Sequence, residues 1–300
     1  MQDTTQEATR AASAISIVIP VYNEQASVVK TVEAILEVLA PGDVPFEIII
    51  VNDGSMDNTG QILQDLKRTH PQLIIVEHEI NLGYGAALKS GISRSRFDRI
   101  MIIDADQTYS IHEIPRLMEL AREYDMVVAS RVGPAARIPL IRRPAKLILK
   151  WLAEFLSNRR IPDLNSGFRI FKKEIVSASY NMLPDGFSFT STLTLLSLHR
   201  GYRVHFVPTP YFKREGKSKI KPIKDTLNFL QLIFRTVLYV NPLRIFMPAS
   251  LFFFTVSMFL FITRVLMGGG FLVTIIITFF CGFELLVVGM LADLIDKRVR

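Results

Sequence analysis

The chain of 300 residues has few of the residues that form disulfides and zinc sites. It holds one cysteine, Cys281, which excludes a disulfide or a cysteine metal cluster within a single chain. His112, His199 and His205 show no ligand spacing, and the aromatic and basic pattern of an RNA-binding domain is missing as well. The net charge of +7 therefore favours an anionic lipid or an anionic small molecule as the partner, and not a nucleic acid.

The N-terminus lacks the apolar stretch that a secretory signal needs. Residues 1–14 are polar and small, and we expect a disordered lead ahead of the first folded element. The folded part that follows is therefore expected to stay on the side of the membrane where it is synthesised.

Short apolar runs alternate with segments of helical period through the first half of the chain. The runs predict buried strands at 15–20, 46–52, 73–77, 99–104 and 126–130. The segments between them predict helices at 26–39, 59–69, 85–95 and 114–124. This alternation predicts an α/β fold with a Rossmann-like, mostly parallel sheet that is covered on both faces.

Polar motifs follow three of the predicted strands directly. They are Tyr22-Asn23-Glu24, Asn52-Asp53-Gly54-Ser55 and Asp104-Ala105-Asp106. Ligands of such sheets bind outside the carboxyl ends of the strands, so these motifs predict the site. The two carboxylates of the third motif suit Mg²⁺ or Mn²⁺, which would neutralise the charge on a departing diphosphate. A pair of acids around one residue also occurs in ordinary surface turns.

The composition changes near Pro242, after which the chain is almost continuously apolar. Residues 245–263 and 271–292 are each long enough to span a membrane, and the short linker 264–270 predicts a two-helix hairpin. Residues 222–242 predict an amphipathic helix on the bilayer surface, with a core helix as the alternative. Basic residues flank the pair of spans on both sides, whereas the only basic residue of the linker is Arg264. Both termini are therefore expected in the cytoplasm.

Two further features of the apolar region concern its contacts with other helices or with lipid. Glu284, inside the second span, either contacts a polar lipid or partner helix, or is protonated or paired within the protein. The glycines at 268–270 and the apolar spans are compatible with a homo-oligomer.

A resemblance to a known family rests on six motifs in a fixed order. They are IPVYNE (19–24), VNDGSMDNT (51–59), NLGYGAALKSGI (81–92), DADQTY (104–109), NSGFRIFKK (165–173) and REGKSK (214–219). Together they resemble family 2 glycosyltransferases over roughly 15–220, above all dolichol-phosphate mannose synthases and bacterial polyprenyl-phosphate glycosyltransferases. The resemblance implies a GT-A catalytic domain over 15–221, followed by the surface helix at 222–242 and the membrane region at 243–300.

The same resemblance implies the reaction. A sugar would pass, with inversion, from a UDP- or GDP-linked donor to undecaprenyl or dolichyl phosphate at the cytoplasmic face, with Mg²⁺ or Mn²⁺ as cofactor. The alternatives are transfer to a lipid hydroxyl such as that of diacylglycerol, and an inactive membrane scaffold that keeps the fold. The Q-x-x-R-W signature of processive polysaccharide synthases is absent, which counts against polymerisation.

Site residues carry over from the family motif by motif. The implied nucleotide-sugar residues are Pro20, Tyr22, Glu24, Asp53, Gly83, Lys89, Asp104, Ala105 and Asp106, with Asp104 and Asp106 at the metal. The implied catalytic residues are Asp104, Asp106, Arg131 and Asp163. The implied acceptor-phosphate residues are Arg131, Ser166, Arg169, Arg214, Lys217 and Lys219, although the last three also fit a basic patch for anionic lipids.

Chemistry qualifies some of these roles. Asp53 would accept hydrogen bonds from a base, while Asp53-Gly54-Ser55 also fits a turn that caps the next helix. Many relatives carry a glutamine metal ligand where this chain has Thr108, so a third protein ligand stays open. A phosphate acceptor is ionised near neutral pH, with a second pKa of about 6, and needs no base. Asp163, near the position of a proposed base in relatives, is therefore expected to orient Arg169 or the phosphate.

Overall fold

A computed structural model describes residues 14–42, 44–133, 154–155, 159–212, 242–268, 270 and 272–299. The chain divides into two compact units, Met1–Phe229 and Leu230–Arg300, and each is described by itself.

The first unit is built on one seven-stranded sheet. Its strands are β1 (Ile15–Val21), β2 (Phe46–Asp53), β3 (Ile74–His78), β4 (Arg99–Ile102), β5 (Met126–Val132), β6 (Arg169–Lys172) and β7 (Val204–Pro210). They lie in the order β3-β2-β1-β4-β6-β5-β7. All neighbours pair in parallel except β6, which runs antiparallel to both β4 and β5.

The reversed strand β6 is what completes the functional edge of the sheet. Because β6 runs against its neighbours, its first residue, Arg169, lies at the edge where β4 ends. Residues 165–168 are thereby brought beside the residues that follow β4. The motif around Gly167 and the acids after β4 thus meet, although more than 60 residues separate them in the sequence.

Helices cover the sheet and bury its apolar strands. The helices are α1 (Val28–Leu39), α2 (Thr59–Thr69), α3 (Tyr84–Arg94), α4 (Ile114–Leu120), α5 (Lys173–Ser177) and α6 (Phe189–His199), with 3-10 turns at Ile111–Glu113 and Tyr180–Met182. α1 buries Val28, Val32 and Ile35 against the strands. α6 is buried along most of its length, and some of its hydroxyls donate to carbonyls one turn earlier, as in Thr194 to Thr190 at 2.9 Å.

The second unit is a pair of long apolar helices, α7 (Leu243–Met267) and α8 (Leu272–Val299). Gly282 allows close packing, since a Cβ there would lie 3.1 Å from the ring of Phe254. The hydroxyl of Ser250 donates to the carbonyl of Gly282 at 2.7 Å. Both helices are long and apolar enough to cross a membrane, with mean hydropathies of 2.2 and 2.4.

The sequence predicted this architecture in outline. The mostly parallel sheet, the five strands and four helices of the first half, and the hairpin are confirmed. Several boundaries differ by one or two residues, as at β4, which ends at Ile102, and the largest difference is in α4, which ends at Leu120 and not at Tyr124. Neither β6, β7 nor α6 was predicted. The lead at 1–14 falls outside the described residues apart from Ala14, as does the surface helix at 222–242 apart from Pro242, and both stay predictions.

Candidate active site

The loops after β1 and β2 are tied together by reciprocal hydrogen bonds. The side-chain oxygen of Asn23 accepts from the amide of Met56 at 2.7 Å, and the amide of Asn23 donates to the Ser55 hydroxyl at 2.9 Å. The amide of Glu24 donates to the hydroxyl of Thr59 at 3.0 Å. These bonds make one continuous wall at the carboxyl edge of the sheet, and the predicted nucleotide residues Pro20, Tyr22 and Glu24 belong to it.

Asp53 ends β2 and is almost fully buried. Its carboxylate accepts from the amides of Leu82 and Gly83, both at 2.9 Å, and contacts Nδ1 of His78 at 2.7 Å. Nε2 of the same histidine lies 2.9 Å from the hydroxyl of Ser90, so the tautomer with hydrogen on Nδ1 satisfies both contacts. Asp53 therefore shapes the loop that enters α3.

The turn after Asp53 does not cap α2. The amide of Thr59, the first residue of α2, donates instead to Asp57 at 3.0 Å. The side-chain oxygen of Asn52 accepts from the amide of Ser55 at 3.2 Å and closes the turn. Gly54 has a φ of +66°, and a Cβ there would lie 2.4 Å from the backbone of Ile80.

Asp104 sits between two neighbours just beyond β4. Its Oδ1 accepts from the hydroxyl of Tyr84 at 2.9 Å. On the other side lies Gly167, where a Cβ would come within 2.1 Å of Oδ2. The amide of Gly167 donates to the hydroxyl oxygen of Tyr109 at 2.9 Å, which fixes that side of the carboxylate.

Asp106 is held by the residues that follow it. Its Oδ1 accepts from the Thr108 hydroxyl at 2.6 Å and from the Thr108 amide at 3.3 Å. Gln107, between them, has a φ of +57°, a backbone conformation that non-glycine residues rarely adopt. The carbonyl of Ala105 accepts from the buried hydroxyl of Thr31 on α1 at 3.0 Å. Thr108 thus orients the second acid of the turn.

The two acids give a partial ligand set for a hard cation. Among the described residues, no group of three histidine, cysteine or acidic side chains stands close enough to hold a metal by itself. Mg²⁺ is commonly held by one or two carboxylates together with substrate phosphates and water. The chemistry of Asp104 and Asp106 fits that mode.

Arg131 and Asp163 form a two-point ion pair at the end of β5. Nε of the arginine donates to Oδ2 at 2.6 Å and Nη2 donates to Oδ1 at 2.7 Å. The guanidinium also lies 5.4 Å from the ring centre of Tyr211. Burial alone would raise the pKa of Asp163, but the hydrogen bonds and charge of Arg131 outweigh it, and the pKa is lowered. Asp163 is therefore a weak base.

Arg169 lies inside the fold, which corrects its predicted role at an acceptor phosphate. Its side chain is fully buried and donates to the carbonyl of Ser166 at 2.5 and 3.0 Å. It also donates to the carbonyl of Thr190 at 3.0 Å and to the Thr194 hydroxyl at 2.8 Å. Burial lowers the pKa of Arg169 to about 10. Arg169 therefore joins β6 to α6, and Ser166, also fully buried, belongs to the same contact.

The remaining predicted residues divide between the edge of the sheet and other places. Gly83, with a φ of +107°, begins α3 beside Asp53. Lys89 points to another partner, with Nζ 2.7 Å from Oδ1 of Asp185 and 5.1 Å from the centre of the Tyr180 ring. Arg214, Lys217 and Lys219 lie outside the described residues, and their roles stay predictions.

A cavity of about 280 Å³ lies at the opposite end of the sheet. It is lined by residues at the beginnings of strands, such as Ile15 and Arg99, and by Met118 of α4. None of the predicted site residues lines it. The chemistry of the strand ends, and not the shape of this cavity, therefore locates the candidate site.

The family is decided by comparison with known proteins. The family model described as glycosyl transferase family 2 matches residues 16–179, more than half of the chain. The chain belongs to glycosyl transferase family 2. The resemblance drawn from the six motifs is thereby confirmed.

Relatives of this glycosyltransferase include enzymes named for lipid phosphates. An undecaprenyl-phosphate 4-deoxy-4-formamido-L-arabinose transferase of Yersinia enterocolitica is 28% identical over 94% of this chain and 88% of its own length. A dolichyl-phosphate beta-glucosyltransferase of Trichomonas vaginalis is 30% identical over 72% of this chain and 70% of its own. An uncharacterized glycosyltransferase of Synechocystis sp. is 32% identical over 68% of this chain, which spans 64% of that relative's length.

Solved structures share the fold of the glycosyltransferase. Glucosyl-3-phosphoglycerate synthase of Mycobacterium tuberculosis, crystallised with Mn²⁺, uridine diphosphate and phosphoglyceric acid, superposes with a TM-score of 0.58. The two chains are 18% identical, and the match covers 77% of this chain and 82% of the other. At that identity the likeness shows the GT-A fold.

Four residues that build the site had no role assigned from the sequence. Tyr84, Tyr109 and Gly167 all lie in the quoted motifs, next to residues that were given roles. Thr31 lies in the middle of a predicted helix, and nothing local distinguishes it from other polar helix positions. The only local signal was the motifs themselves, because each of these contacts joins segments far apart in sequence.

Proposed function

We propose that this glycosyltransferase moves a sugar, with inversion, from a UDP- or GDP-linked donor to the phosphate of a polyprenyl lipid at the cytoplasmic face of a membrane. The names of the undecaprenyl-phosphate and dolichyl-phosphate relatives support the acceptor class. The observation that carries the proposal is the ion pair of Asp163, since a carboxylate paired in this way favours a phosphate acceptor over a hydroxyl acceptor.

The donor nucleotide would lie against the wall formed by the loops after β1 and β2. Asp53 supports this placement because a carboxylate accepts about four hydrogen bonds, and the chain supplies three of them. The remaining position on Oδ2 suits a ring N–H of uracil or guanine. The same carboxylate then fixes both the loop into α3 and the base.

Asp104 and Asp106 would hold Mg²⁺ or Mn²⁺ beside the diphosphate. When bound, the cation neutralises the charge that develops on the departing diphosphate. The protein's part is to orient the two carboxylates, through Tyr84 and Gly167 for the first and through Thr108 for the second. Orientation of this kind lowers the barrier without proton transfer.

The acceptor needs no general base if it is a phosphate. A phosphate oxygen is already a nucleophile at neutral pH, whereas a hydroxyl must lose its proton as it attacks. Asp163 is locked by two hydrogen bonds to Arg131 and has a lowered pKa, so it is unsuited to take that proton. Nη1 of Arg131 donates to neither oxygen of Asp163 and would bind the acceptor phosphate.

The apolar hairpin would keep the enzyme beside its lipid substrate. Large apolar side chains are exposed along both helices, including Phe259, Leu266 and Phe280. In a bilayer these side chains would contact lipid. In the sequence the basic segment 213–221 precedes these helices, and its positive charge would attract an anionic lipid head group.

A transfer assay on the full chain in nanodiscs tests the proposal. UDP- and GDP-sugars are screened with Mn²⁺ for thermal stabilisation, and each donor that stabilises the enzyme is incubated with undecaprenyl phosphate or diacylglycerol. We expect a lipid product with undecaprenyl phosphate alone. Product with diacylglycerol alone would establish a hydroxyl acceptor, and binding without transfer or hydrolysis of any donor would support an inactive scaffold.

A further inference from the structure

We infer that Tyr84 is a positioning residue, which holds the Asp104 carboxylate in the orientation that binds a divalent cation together with the nucleotide diphosphate. The inference deepens the proposed function and rests on its metal role. Its first support is the two-sided contact of Asp104, with the Tyr84 hydroxyl 2.9 Å from Oδ1 and Gly167 against Oδ2. Removing the hydroxyl would remove the hydrogen bond that orients Oδ1.

The ring of Tyr84 is itself held in place. Phe187 stacks on it, with ring centres 5.8 Å apart and planes 15° from parallel. The loop that carries Phe187 is fixed against the start of α3, because the amide of Ala86 donates to the carbonyl of Asp185 at 3.0 Å. Gly85 permits this contact, since a Cβ there would lie 2.1 Å from the carbonyl oxygen of Pro184.

The residue before Tyr84 links it to Asp53, at the end of β2. The amide of Gly83 donates to Asp53, so the acid at the end of β2 also fixes the position from which the Tyr84 side chain departs. Asp53, at the end of β2, and Asp104, just beyond β4, are therefore connected through three consecutive residues, 82–84.

In this contact the Tyr84 hydroxyl is the hydrogen-bond donor and the Asp104 carboxylate is the acceptor. A neutral donor beside a carboxylate leaves the negative charge on Asp104, where a cation needs it. Tyr84 thus orients the ligand without competing for its charge.

The test compares Tyr84→Phe with Tyr180→Phe. The first removes one hydroxyl and keeps the ring that stacks on Phe187. The second removes a hydroxyl that makes no hydrogen bond within the described part of the chain, from a ring that is 48% exposed. Affinity for UDP and GDP is measured by calorimetry on the full chain, over a Mn²⁺ titration and in EDTA. No turnover is needed.

We expect Tyr84→Phe to weaken Mn²⁺-dependent nucleotide binding about ten-fold or more, the usual effect of losing a hydrogen bond to a charged group. Its affinity in EDTA should equal that of the wild type, and excess Mn²⁺ should restore binding. If Tyr84→Phe lost equal nucleotide affinity with Mn²⁺ and in EDTA, the cause would be a defect of the loop, and the inference would be overturned. Equal Mn²⁺-dependent affinities of Tyr84→Phe and Tyr180→Phe would overturn it as well. A wild-type chain that binds nucleotide equally with and without Mn²⁺ would overturn the metal role itself.

Discussion

Replacing Gly167 by alanine should disable the enzyme while leaving the fold nearly intact. The new Cβ would lie 2.1 Å from Oδ2 and 2.6 Å from Cγ of Asp104, so the carboxylate must move by about 1.3 Å to reach an ordinary contact distance of 3.4 Å. A displacement of about 1 Å in a reacting assembly costs roughly a hundred-fold in rate. The obstacle is the end of a side chain, so the loss of stability should stay near 1 kcal/mol, about 2–4 °C in Tm.

Gly186→Ala is the matched control, because no atom lies within 4 Å of the position that its Cβ would take. The assay measures kcat/KM for donor and acceptor, with a thermal melt of each variant. We expect Gly186→Ala to match the wild type and Gly167→Ala to lose about two orders of magnitude in kcat/KM. A Gly167→Ala enzyme within two- or three-fold of the control would refute the view that Asp104 must keep its position against this glycine.

Three other predictions follow from the charged residues. Arg169→Lys should lose several of the buried hydrogen bonds and lower Tm by about 5–10 °C, while the folded fraction keeps its KM for the acceptor. A raised acceptor KM at unchanged Tm would show instead that Arg169 binds the acceptor. Asp163→Asn should cost about 3 kcal/mol by leaving Arg131 unpaired. Because the folded pKa of Asp163 is lowered, this stability is present above the unfolded pKa, about 3.9, and is lost as the pH falls through the folded value. Acid denaturation of the wild type and of Asp163→Asn measures this loss, and the stability of the wild type should fall more steeply at low pH. Equal pH dependence of the two stabilities would contradict the prediction. Lys217→Ala, outside the described residues, should raise the acceptor KM ten-fold or more and change donor KM by less than three-fold; the opposite pattern would assign the lysine to the diphosphate.

Much of the fold could be predicted because it depends on local periodicity. The runs at β1 and β2 are apolar at nearly every position, as expected for central parallel strands, and the acids after β4 follow such a run directly. The two apolar helices are longer than any other helix in the described residues, and their length and continuous apolar composition identified them.

The reversed strand and the interior of the site depend on distant partners. β6 has four residues, too few for a clear alternation, and its direction is set by pairing with β4 and β5. Arg169 was predicted to bind an acceptor phosphate from the family motif around it. Its burial could not be predicted, because arginine is rarely fully buried and the carbonyls of Ser166 and Thr190 accept its hydrogen bonds only in the folded chain. Tyr84 and Gly167 reach Asp104 from positions 20 and 63 residues away, which no local pattern records.

The central claim is that the acceptor group is a phosphate, and one comparison tests it most directly. The purified full chain in nanodiscs receives its cognate nucleotide sugar, Mn²⁺, and either a polyprenyl phosphate or the polyprenol of the same chain length. The account predicts glycosylation of the phosphate only, with a rate that shows no titration attributable to Asp163 between about pH 6 and 8, because the pKa of that residue is lowered. Glycosylation of the polyprenol at a comparable rate would contradict it.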